Sequence, residues 1–330
     1  MAEEALTISQ TYARGKEFFE KLGQARQFSP DSDIGASVQA NRTYLDSLFF
    51  ETRLLDAREA DTSLTLFGLK LKTPVFASPM GVSINKIAST AINDIARGVG
   101  NAGSLMMMGF GDSEELQGVI DTGAPVVKIV KPYQDTELIF KKVREAESRG
   151  CVAVGIDIDH SLGRRIGDRV DQQDVYAPQS TEILKQVISQ TKLPFIIKGV
   201  LSLQDAEKAA RAGASAIIVS NHGYNAFSFT IPSLIALPKI VGNVGDKLTV
   251  LVDTGFKTGN DVIKALALGA RAVGFASSML LAWGADGSHG VENLINQLTA
   301  ELHRTMRATG CPDLSAINSS LINRMPPLWE

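Results

Sequence analysis

Short apolar runs alternate with amphipathic stretches along most of this chain after residue 74. The runs are strongly apolar and end in polar or small residues, which is typical of buried parallel strands. Most are separated by helical periodicity, as at 87–102, 135–149, 203–212 and 260–268. The predicted strands are Val75–Ser78, Leu105–Met108, Val126–Val130, Val152–Asp157, Phe195–Lys198, Ile217–Ser220, Thr249–Asp253 and Ala272–Ala276.

The alternation of strand and helix predicts the fold class. Eight units over about 200 residues favour an α/β protein with a (β/α)8 TIM barrel over an open doubly wound sheet. No GxGxxG motif follows a predicted strand, which argues further against a dinucleotide-binding sheet. We expect one domain, made of a helical segment at 1–60 and the barrel at 61–330.

Three further segments carry expectations of their own. Residues 61–68 alternate apolar and polar positions, which predicts a short exposed strand. The polar stretch 166–180 follows the fourth strand and predicts a mobile loop over the barrel mouth. Residues 290–309 predict a long closing helix.

Composition excludes several classes of protein. The chain has 330 residues, of which 44% are hydrophobic and 21% charged, enough for a sizeable core. A net charge of −3 gives no basic field for nucleic acid. No apolar run reaches the roughly 18–20 residues of a membrane span, and no signal-peptide core opens the chain. Cys151 and Cys311 form neither a disulfide framework nor a metal-type pair, so we expect a cytoplasmic protein.

Lys198 and His222 lie at the ends of two consecutive predicted strands. In parallel α/β folds the chemistry gathers at these carboxyl ends. Lys198 could pair a carboxylate at the rim, or stabilise negative charge on a bound ring system. His222 could be a structural histidine, or a general base near neutral pH.

Two aspartates end the fourth strand. The period-two geometry of a strand puts Asp157 and Asp159 on the same face. They could orient and charge-stabilise His222, with Asp159 as the favoured partner, or pair with Arg164 or Arg165. His160 is expected to be a loop residue, and the sequence predicts no metal site because it contains neither HxxxH nor CxxC.

The turns after the seventh and eighth strands are candidates for binding a phosphate group. In barrels these loops often hold phosphate on backbone N–H groups. Gly255 permits close approach, Lys257 adds a positive charge, and Ser277 follows the eighth strand. The alternative is a tight strand-to-helix turn without a ligand.

The order of these motifs resembles that of the FMN-dependent α-hydroxy acid oxidases and dehydrogenases, over roughly residues 40–315. Lys131-Pro132 and Asp157-Ile-Asp159 are similar to a shorter bacterial branch. The motifs that carry the resemblance are Asn41-Arg42, 61–68, 74–80, 162–165, 193–200, 218–223, 253–255, 261–270 and 310–311.

The resemblance implies FMN as cofactor and a homo-oligomer, a tetramer or octamer. Lys198 would contact the N1/O2 edge of the flavin and stabilise its reduced, anionic form. Asp253 would hold the ribityl chain, and the backbone at Ala77, Ser78 and Pro79 would face N5. The other positions expected around FMN are Met107, Lys128, Ser220, Gly255, Lys257, Ala276 and Ser277.

The resemblance also implies a reaction and a substrate pocket. His222 would remove the hydroxyl proton of a 2-hydroxy acid or related α-hydroxy carbonyl compound while hydride passes to the flavin. Arg165 would bind the substrate carboxylate, and Tyr224 and Asn225 would line the pocket, with Met106–Met108 and Val130 as apolar contacts.

The chain departs from the family pattern at several of these positions. Asn225 stands where a second carboxylate-binding arginine is expected, and Lys257 and Ser277 where two phosphate-binding arginines are expected. Lys128-x-Val130 replaces a glutamine-x-tyrosine. These departures keep two alternatives open: a non-redox FMN-barrel reaction of the type 2 isopentenyl diphosphate isomerase kind, and a catalytically degenerate flavin-binding scaffold.

Overall fold

The computed structural model describes residues 5–24, 36–80, 88–161, 175–223 and 229–325. Its helices are α1 Ile8–Lys21, α2 Ala36–Asp46, α3 Ala91–Asn101, α4 Ser113–Ile120, α5 Thr136–Ser148, α6 Thr181–Ile188, α7 Leu203–Ala212, α8 Ser233–Val244, α9 Gly259–Ala267 and α10 Ser277–Ala308. Its strands are β1 Leu48–Phe50, β2 Leu64–Leu66, β3 Leu69–Leu71, β4 Val75–Met80, β5 Leu105–Met108, β6 Val126–Val130, β7 Ala153–Asp157, β8 Phe195–Val200, β9 Ala216–Val219, β10 Thr249–Asp253, β11 Val273–Phe275 and β12 Ile322–Arg324.

Strands β4 to β11 are parallel and close into a barrel in chain order, with β11 pairing β4. This confirms the predicted (β/α)8 TIM barrel. All eight predicted strands are present, with ends that differ from the prediction by two residues or fewer. The prediction worked because each strand is covered on both faces and therefore reads as a continuous apolar run.

Alternation along each strand divides the apolar core into two layers. Inward-facing side chains such as Phe76, Met107 and Ile196 fill the barrel. Outward-facing ones such as Val75 and Met106 pack against the surrounding helices. The inner layer ends below the carboxyl ends of the strands, where polar side chains take its place.

A hairpin of β2 and β3 joins the inner apolar layer. The leucines at 64, 66 and 71 are each only 4% exposed. The expectation of an exposed strand at 61–68 was wrong, because the leucine face of this hairpin packs against the barrel's interior side chains.

The chain ends pack against the barrel helices. Helix α1 lies against α10 so closely that a Cβ on Gly15 would be 2.1 Å from the carbonyl oxygen of Leu281. Helix α10 starts before the predicted residue 290 and is broken at Asp286 and Gly287. Residues 1–60 contain β1 as well as helices, and β1 pairs with β12. None of the helices among the described residues is both long and apolar enough to cross a membrane.

Candidate active site

Lys198 lies on β8 in register with Asp157 of β7, at the carboxyl end of the barrel. Its Nζ is 3.1 Å from Nδ1 of His222 and 3.5 Å from Oδ1 of Asp157. Asp159 and Asp253 each have an oxygen 3.9 Å from the same Nζ. Burial alone would lower the pKa of Lys198, but the three surrounding carboxylates raise it above its usual range. The site therefore contains a permanent buried cation.

His222 follows β9 with a φ of +54°, a backbone conformation that residues other than glycine rarely adopt. The Oγ of Ser220 accepts a hydrogen bond from the backbone N–H of His222 at 3.1 Å and supports this turn. Both carboxylate oxygens of Asp159 lie 3.0 Å from Nδ1 of His222, whereas Asp157 is 3.7 Å away. Strained backbone at a titratable residue is common at functional sites. The turn brings the imidazole to a carboxylate partner, which can orient a general base and stabilise its protonated form.

Sequence reasoning missed Lys131, which belongs to the same site. Its Nζ donates to Oδ2 of Asp157 at 2.7 Å, and both side chains are buried. Burial alone would raise the pKa of Asp157, but Lys131 and Lys198 hold it well below its usual range. A signal existed in the sequence, since Val127, Ile129 and Lys131 share one parity. Continuing the strand alternation past Val130 would have found this lysine.

Asp159 is not in the strand, but in a 3-10 turn at Ile158–His160 that follows β7. The turn still brings its carboxylate to the cluster that Asp157 enters from the strand. Burial, reinforced by the neighbouring Asp157, raises the pKa of Asp159 well above its usual range, although Lys198 opposes the shift. The pKa values of the two aspartates are therefore shifted in opposite directions, and only Asp157 has a lysine at 2.7 Å.

His160 also belongs to the site, although the sequence indicated only a loop position. Its Nε2 is 3.3 Å from Nε2 of His222, and the two rings meet edge to face with centroids 4.5 Å apart. Burial, aided by nearby ammonium groups, lowers the pKa of His160 to about 2 and that of His222 to about 3. Both imidazoles are therefore neutral at neutral pH.

We call the group at the carboxyl end of the barrel the rim cluster. It consists of Lys131, Asp157, Asp159, His160, Lys198 and His222.

The rim cluster also has the spacing of a metal site, which the sequence did not predict. Its two aspartates and two histidines place possible ligand atoms within 4.8 Å of one another. The ammonium groups of Lys131 and Lys198, however, lie 2.7 and 3.5 Å from the oxygens of Asp157. They already supply positive charge to the carboxylates, so a cation would have to compete with them.

The backbone at Ala77, Ser78 and Pro79 lies near the carboxyl end of β4, next to the rim cluster. The Oγ of Ser78 donates to Oδ2 of Asp253 at 3.1 Å. A Cβ on the neighbouring Gly274 would lie 2.2 Å from the same Oγ. A glycine in β11 is therefore needed to place this serine beside Asp253.

The candidate phosphate site is the turn after β10 together with the start of α10. Gly255 has a φ of +89°, and a Cβ there would lie 2.9 Å from the Cβ of Asn41, so both conformation and space require glycine. The side chain of Lys257 is exposed. Helix α10 begins at Ser277 without a side-chain cap from Ala276, and both residues are exposed. Its first N–H groups are therefore available to an anion.

Lys128 lies on the other side of the barrel wall, which corrects the expectation that it contacts the cofactor. Its Nζ donates to the carbonyl oxygens of Gly109 and Gly111 at 2.7 and 3.3 Å. Burial lowers its pKa to about 8. Lys128 and Val130 have the parity that faces the helices, opposite to that of Lys131.

The methionines of β5 are divided in the same way. Met106 and Met108 pack outward in the helix-facing layer, so they do not line the mouth of the barrel. Met107 points inward, where it packs among apolar side chains of the barrel interior. The expectation that Met106, Met108 and Val130 contact the substrate is therefore corrected.

Several predicted site residues lie outside the described part of the chain. These are Arg165, Tyr224, Asn225 and the portion 166–174 of the predicted loop. Of that loop, residues 175–180 are described, and Val175 accepts a backbone hydrogen bond from Gln134 at 2.8 Å.

The barrel and its charged rim define an enzyme of the TIM-barrel class, and comparison with known proteins identifies its family. The family model of FMN-dependent dehydrogenases matches residues 27–175 and 162–324, and the chain belongs to this family. It is therefore an FMN-dependent oxidoreductase.

Individual relatives agree with this assignment. The 4-hydroxymandelate oxidase of Amycolatopsis orientalis is 30% identical over 321 residues, which is 86% of this chain and 89% of that protein. The 2-hydroxyacid oxidase 2 of Homo sapiens is 30% identical over 296 residues, or 82% and 84% of the two chains. A crystal structure of a mandelate oxidase variant with 2-hydroxy-phenylacetamide has a TM-score of 0.86 at 27% identity, covering 97% of this chain and 98% of that one.

The described residues fit FMN. The uncapped start of α10 suits a phosphate, and Lys198 supplies a buried cation at the barrel rim. Between them, Asp253 offers a carboxylate acceptor to a polar chain. FMN would itself supply the hydride acceptor, and these residues could hold the cofactor and provide the positive charge.

Proposed function

We propose that this protein oxidises a 2-hydroxy acid or a related α-hydroxy carbonyl compound, with His222 as the general base. The observation that carries the proposal is the position of His222 in the rim cluster, between Asp159 at 3.0 Å and the cation of Lys198 at 3.1 Å. When bound, the flavin supplies the acceptor for the substrate's hydride. The family and its relatives support the reaction type.

The proposed proton transfer follows from the contacts of the two ring nitrogens of His222. In the tautomer whose Nδ1–H donates to Asp159, Nε2 is the nitrogen that would receive the hydroxyl proton. The pKa of His222 is lowered to about 3, so the ring is neutral at neutral pH, which is the form that a base must have before it takes up a proton. The Asp159 carboxylate then stabilises the imidazolium.

The proposed roles of the other rim residues are electrostatic and structural. Lys198 would stabilise negative charge that develops on the flavin, since its three carboxylate neighbours keep it protonated. Lys131 would act as a positioning residue, because its 2.7 Å contact with Asp157 keeps that carboxylate ionised beside Lys198. Asp253 and Ser78 would bind the polar chain of FMN.

We propose a substrate that is larger or less charged than glycolate or lactate. Arg165 can bind one carboxylate, but Asn225 stands where the family pattern has a second arginine. An amide offers donors and an acceptor without charge, so it suits a carbonyl, amide or hydroxyl group. The mandelate oxidase variant crystallised with 2-hydroxy-phenylacetamide supports this proposal, because that ligand is a neutral α-hydroxy amide.

The decisive experiment is anaerobic reduction of the FMN-loaded protein. Bleaching of the flavin absorbance by mandelate, mandelamide, L-lactate or glycolate is expected, with the aromatic compounds fastest. A protein that binds FMN and is bleached by none of them would contradict the redox function and favour the isomerase-like or scaffold alternatives. A protein that retains no flavin after gel filtration with excess FMN would contradict the cofactor fit.

We further propose a single-domain subunit that forms a cytoplasmic homo-oligomer. Support for the single domain comes from the N-terminal segment, where the hydroxyl of Tyr12 donates to the carbonyl of Lys257 at 2.6 Å. Support for association comes from the adjacent Leu54 and Leu55, which are 66% and 93% exposed. Light scattering on the FMN-loaded protein would test the oligomer, and a monomer at micromolar concentration would contradict it.

A further inference from the structure

The contact between His160 and His222 joins two neutral bases, which sets it apart from the other contacts of the rim cluster. Nδ1 of His222 is within 3.0 Å of Asp159 and 3.1 Å of Lys198, so Nε2 is the nitrogen left for a substrate. Nε2 of His160 lies 3.3 Å from that same atom. His160 therefore stands where a substrate hydroxyl has to approach.

We propose that His160 is a second catalytic imidazole, which donates a hydrogen bond from Nε2 to the substrate oxygen while His222 removes the hydroxyl proton. This inference rests on the proposed function. A base and the proton that it removes require heavy atoms about 2.6–3.2 Å apart. An oxygen at that distance from Nε2 of His222, on the side that faces His160, comes within hydrogen-bonding distance of both rings.

The count of ring protons assigns the donor. The proposed role of His222 as base requires the tautomer whose Nδ1–H donates to Asp159, which leaves a lone pair on Nε2. The hydrogen bond between the two Nε2 atoms then needs a proton from His160. When a hydroxyl group enters, His160 donates this same N–H to the oxygen, and the lone pair of His222 accepts the oxygen's proton.

The reaction then balances without net change at His160. The O–H bond breaks and its proton passes to His222. The C–H bond breaks and its hydride would pass to bound FMN, while the carbon–oxygen double bond forms. Negative charge on the oxygen is greatest as the proton leaves, and a fixed N–H donor stabilises that charge more than it stabilises the ground state.

The surroundings of His160 favour a neutral donor over an imidazolium. Among the charged groups around His160, Asp159 comes from its own turn, and Asp157 and Lys198 come from the ends of β7 and β8. Lys131 follows β6, and Asp253 ends β10 at 3.9 Å from Lys198. Nε2 of His160 is 3.5 Å from Oδ2 of Asp157, but that oxygen already accepts from Lys131 at 2.7 Å. The carboxylates are therefore compensated by the lysines, which leaves the donor of His160 to the substrate.

The test compares His160→Gln with His160→Asn in the FMN-loaded protein. The amide nitrogen of glutamine reaches the position of Nε2, whereas the shorter asparagine reaches only that of Nδ1. By stopped-flow reduction with mandelate, the asparagine variant is expected to lose about 100-fold in limiting rate, and the glutamine variant no more than about tenfold. The dissociation constant of mandelate should change less than about threefold in both, because the interaction strengthens only in the transition state.

A second readout separates chemistry from structure. Loss of the N–H donor slows O–H cleavage, so the solvent deuterium isotope effect on flavin reduction should rise in the asparagine variant and stay near the wild-type value in the glutamine variant. His289→Gln, at an exposed position of α10, is the matched control and should match wild type.

The outcomes distinguish this inference from the function on which it rests. Bleaching in wild type with equal rates in wild type and both His160 variants would overturn the role of His160 alone. Weakened mandelate binding at an unchanged limiting rate, or loss of FMN from both variants, would overturn it in favour of a structural role. A wild-type flavin that no 2-hydroxy acid or amide reduces would contradict the proposed function itself, and with it the substrate oxygen that His160 is proposed to contact.

Discussion

Two buried lysines on the same barrel, Lys198 and Lys128, have opposite surroundings. Lys198 points inward at the carboxyl end of β8, where three carboxylates lie within 3.9 Å and raise its pKa. Lys128 points outward from β6 and donates to two backbone carbonyls, with a pKa lowered to about 8 by burial. Both are lysines within apolar strands, and the sequence alone placed both at the cofactor.

The difference shows that strand parity and counter-charge together define the site. A carbonyl satisfies the hydrogen bonds of an ammonium group but does not neutralise its charge, so burial still favours the uncharged amine. Carboxylates do both, so Lys198 remains charged and available to a ligand. The charge of Lys198 at the inner rim can therefore stabilise a charged ligand, whereas Lys128 in the outer layer joins the loop at Gly109 and Gly111 to the barrel wall.

The largest effect at the inner rim is expected when the proposed base, His222, is removed. His222→Ala should retain bound FMN but lose flavin reduction by several orders of magnitude, because the hydroxyl proton then has no acceptor. Anaerobic stopped-flow absorbance measures the rate, and His303→Ala on α10 is the control. Near wild-type reduction in His222→Ala would remove this residue from the acid–base chemistry.

The next effect contrasts the two lysines directly. Lys198→Met should slow flavin reduction by about 100-fold or more, since a preorganised charge at the reacting system is lost. Lys128→Met should leave the rate within about threefold and instead lower the free energy of unfolding by about 1–3 kcal/mol, because the carbonyls of Gly109 and Gly111 lose their donor. Urea denaturation and stopped-flow rates measure the two effects. If Lys128→Met lost activity at full stability, the division between inner and outer lysines would be wrong.

Acid should destabilise the folded protein, because the folded state keeps His160 and His222 of the rim cluster neutral. Their pKa values are about 2 and 3 in the folded protein, against about 6.5 for an ordinary histidine, so below pH 6.5 the unfolded chain binds more protons. Stability therefore falls as pH falls from 6.5. The raised pKa of Asp159 acts in the opposite direction, because its folded-state protonation favours folding at acid pH. The net fall between pH 6 and 5 should be about 1 kcal/mol per pH unit.

Urea midpoints at pH 7, 6 and 5 measure this slope. The variant His160→Gln removes one titrating group and should flatten it, whereas His303→Gln should not. A slope that is the same in wild type and His160→Gln would mean that His160 is protonated normally in the folded protein.

Substrate preference should respond to a change at position 225, where the family pattern has an arginine. Asn225→Arg restores a bidentate carboxylate partner and should raise the rate of flavin reduction by L-lactate about tenfold or more. Reduction by mandelamide should not improve, since that substrate has no carboxylate. Fast reduction by L-lactate in wild type, with no gain from arginine, would show that Asn225 does not set specificity.

The smallest effect concerns the phosphate end of the cofactor. Ser277→Arg adds a charge at the uncapped start of α10 and should tighten FMN binding about five- to tenfold. Fluorescence titration of the apoprotein with FMN measures the change, and its dependence on salt should steepen. Unchanged or weaker binding would indicate that the phosphate lies elsewhere.

Much of the fold follows from the sequence because the signals are local. Eight apolar runs with helical periodicity between them predicted the barrel strands, since each strand is buried on both faces. The same logic failed at residues 61–68, where local alternation could not reveal that the leucine face packs against the barrel interior. The strand-end positions of Lys198, Asp157 and His222 were also visible, because polar residues after apolar strands mark the functional end of a parallel barrel.

Which of these side chains meet was decided only by tertiary structure. The sequence placed Lys128 at the cofactor and overlooked Lys131. Successive side chains of a strand point to opposite faces, so Lys128 points outward and Lys131, three positions later, points inward. His160 gave no local signal, since its contact with His222 joins residues 62 positions apart through a 3-10 turn and a strained backbone. Local patterns determine where strands begin and end, because propensity and burial act over a few residues. Closure of the barrel decides which charges lie within 3.9 Å of one another, because only closure brings the ends of separate strands together.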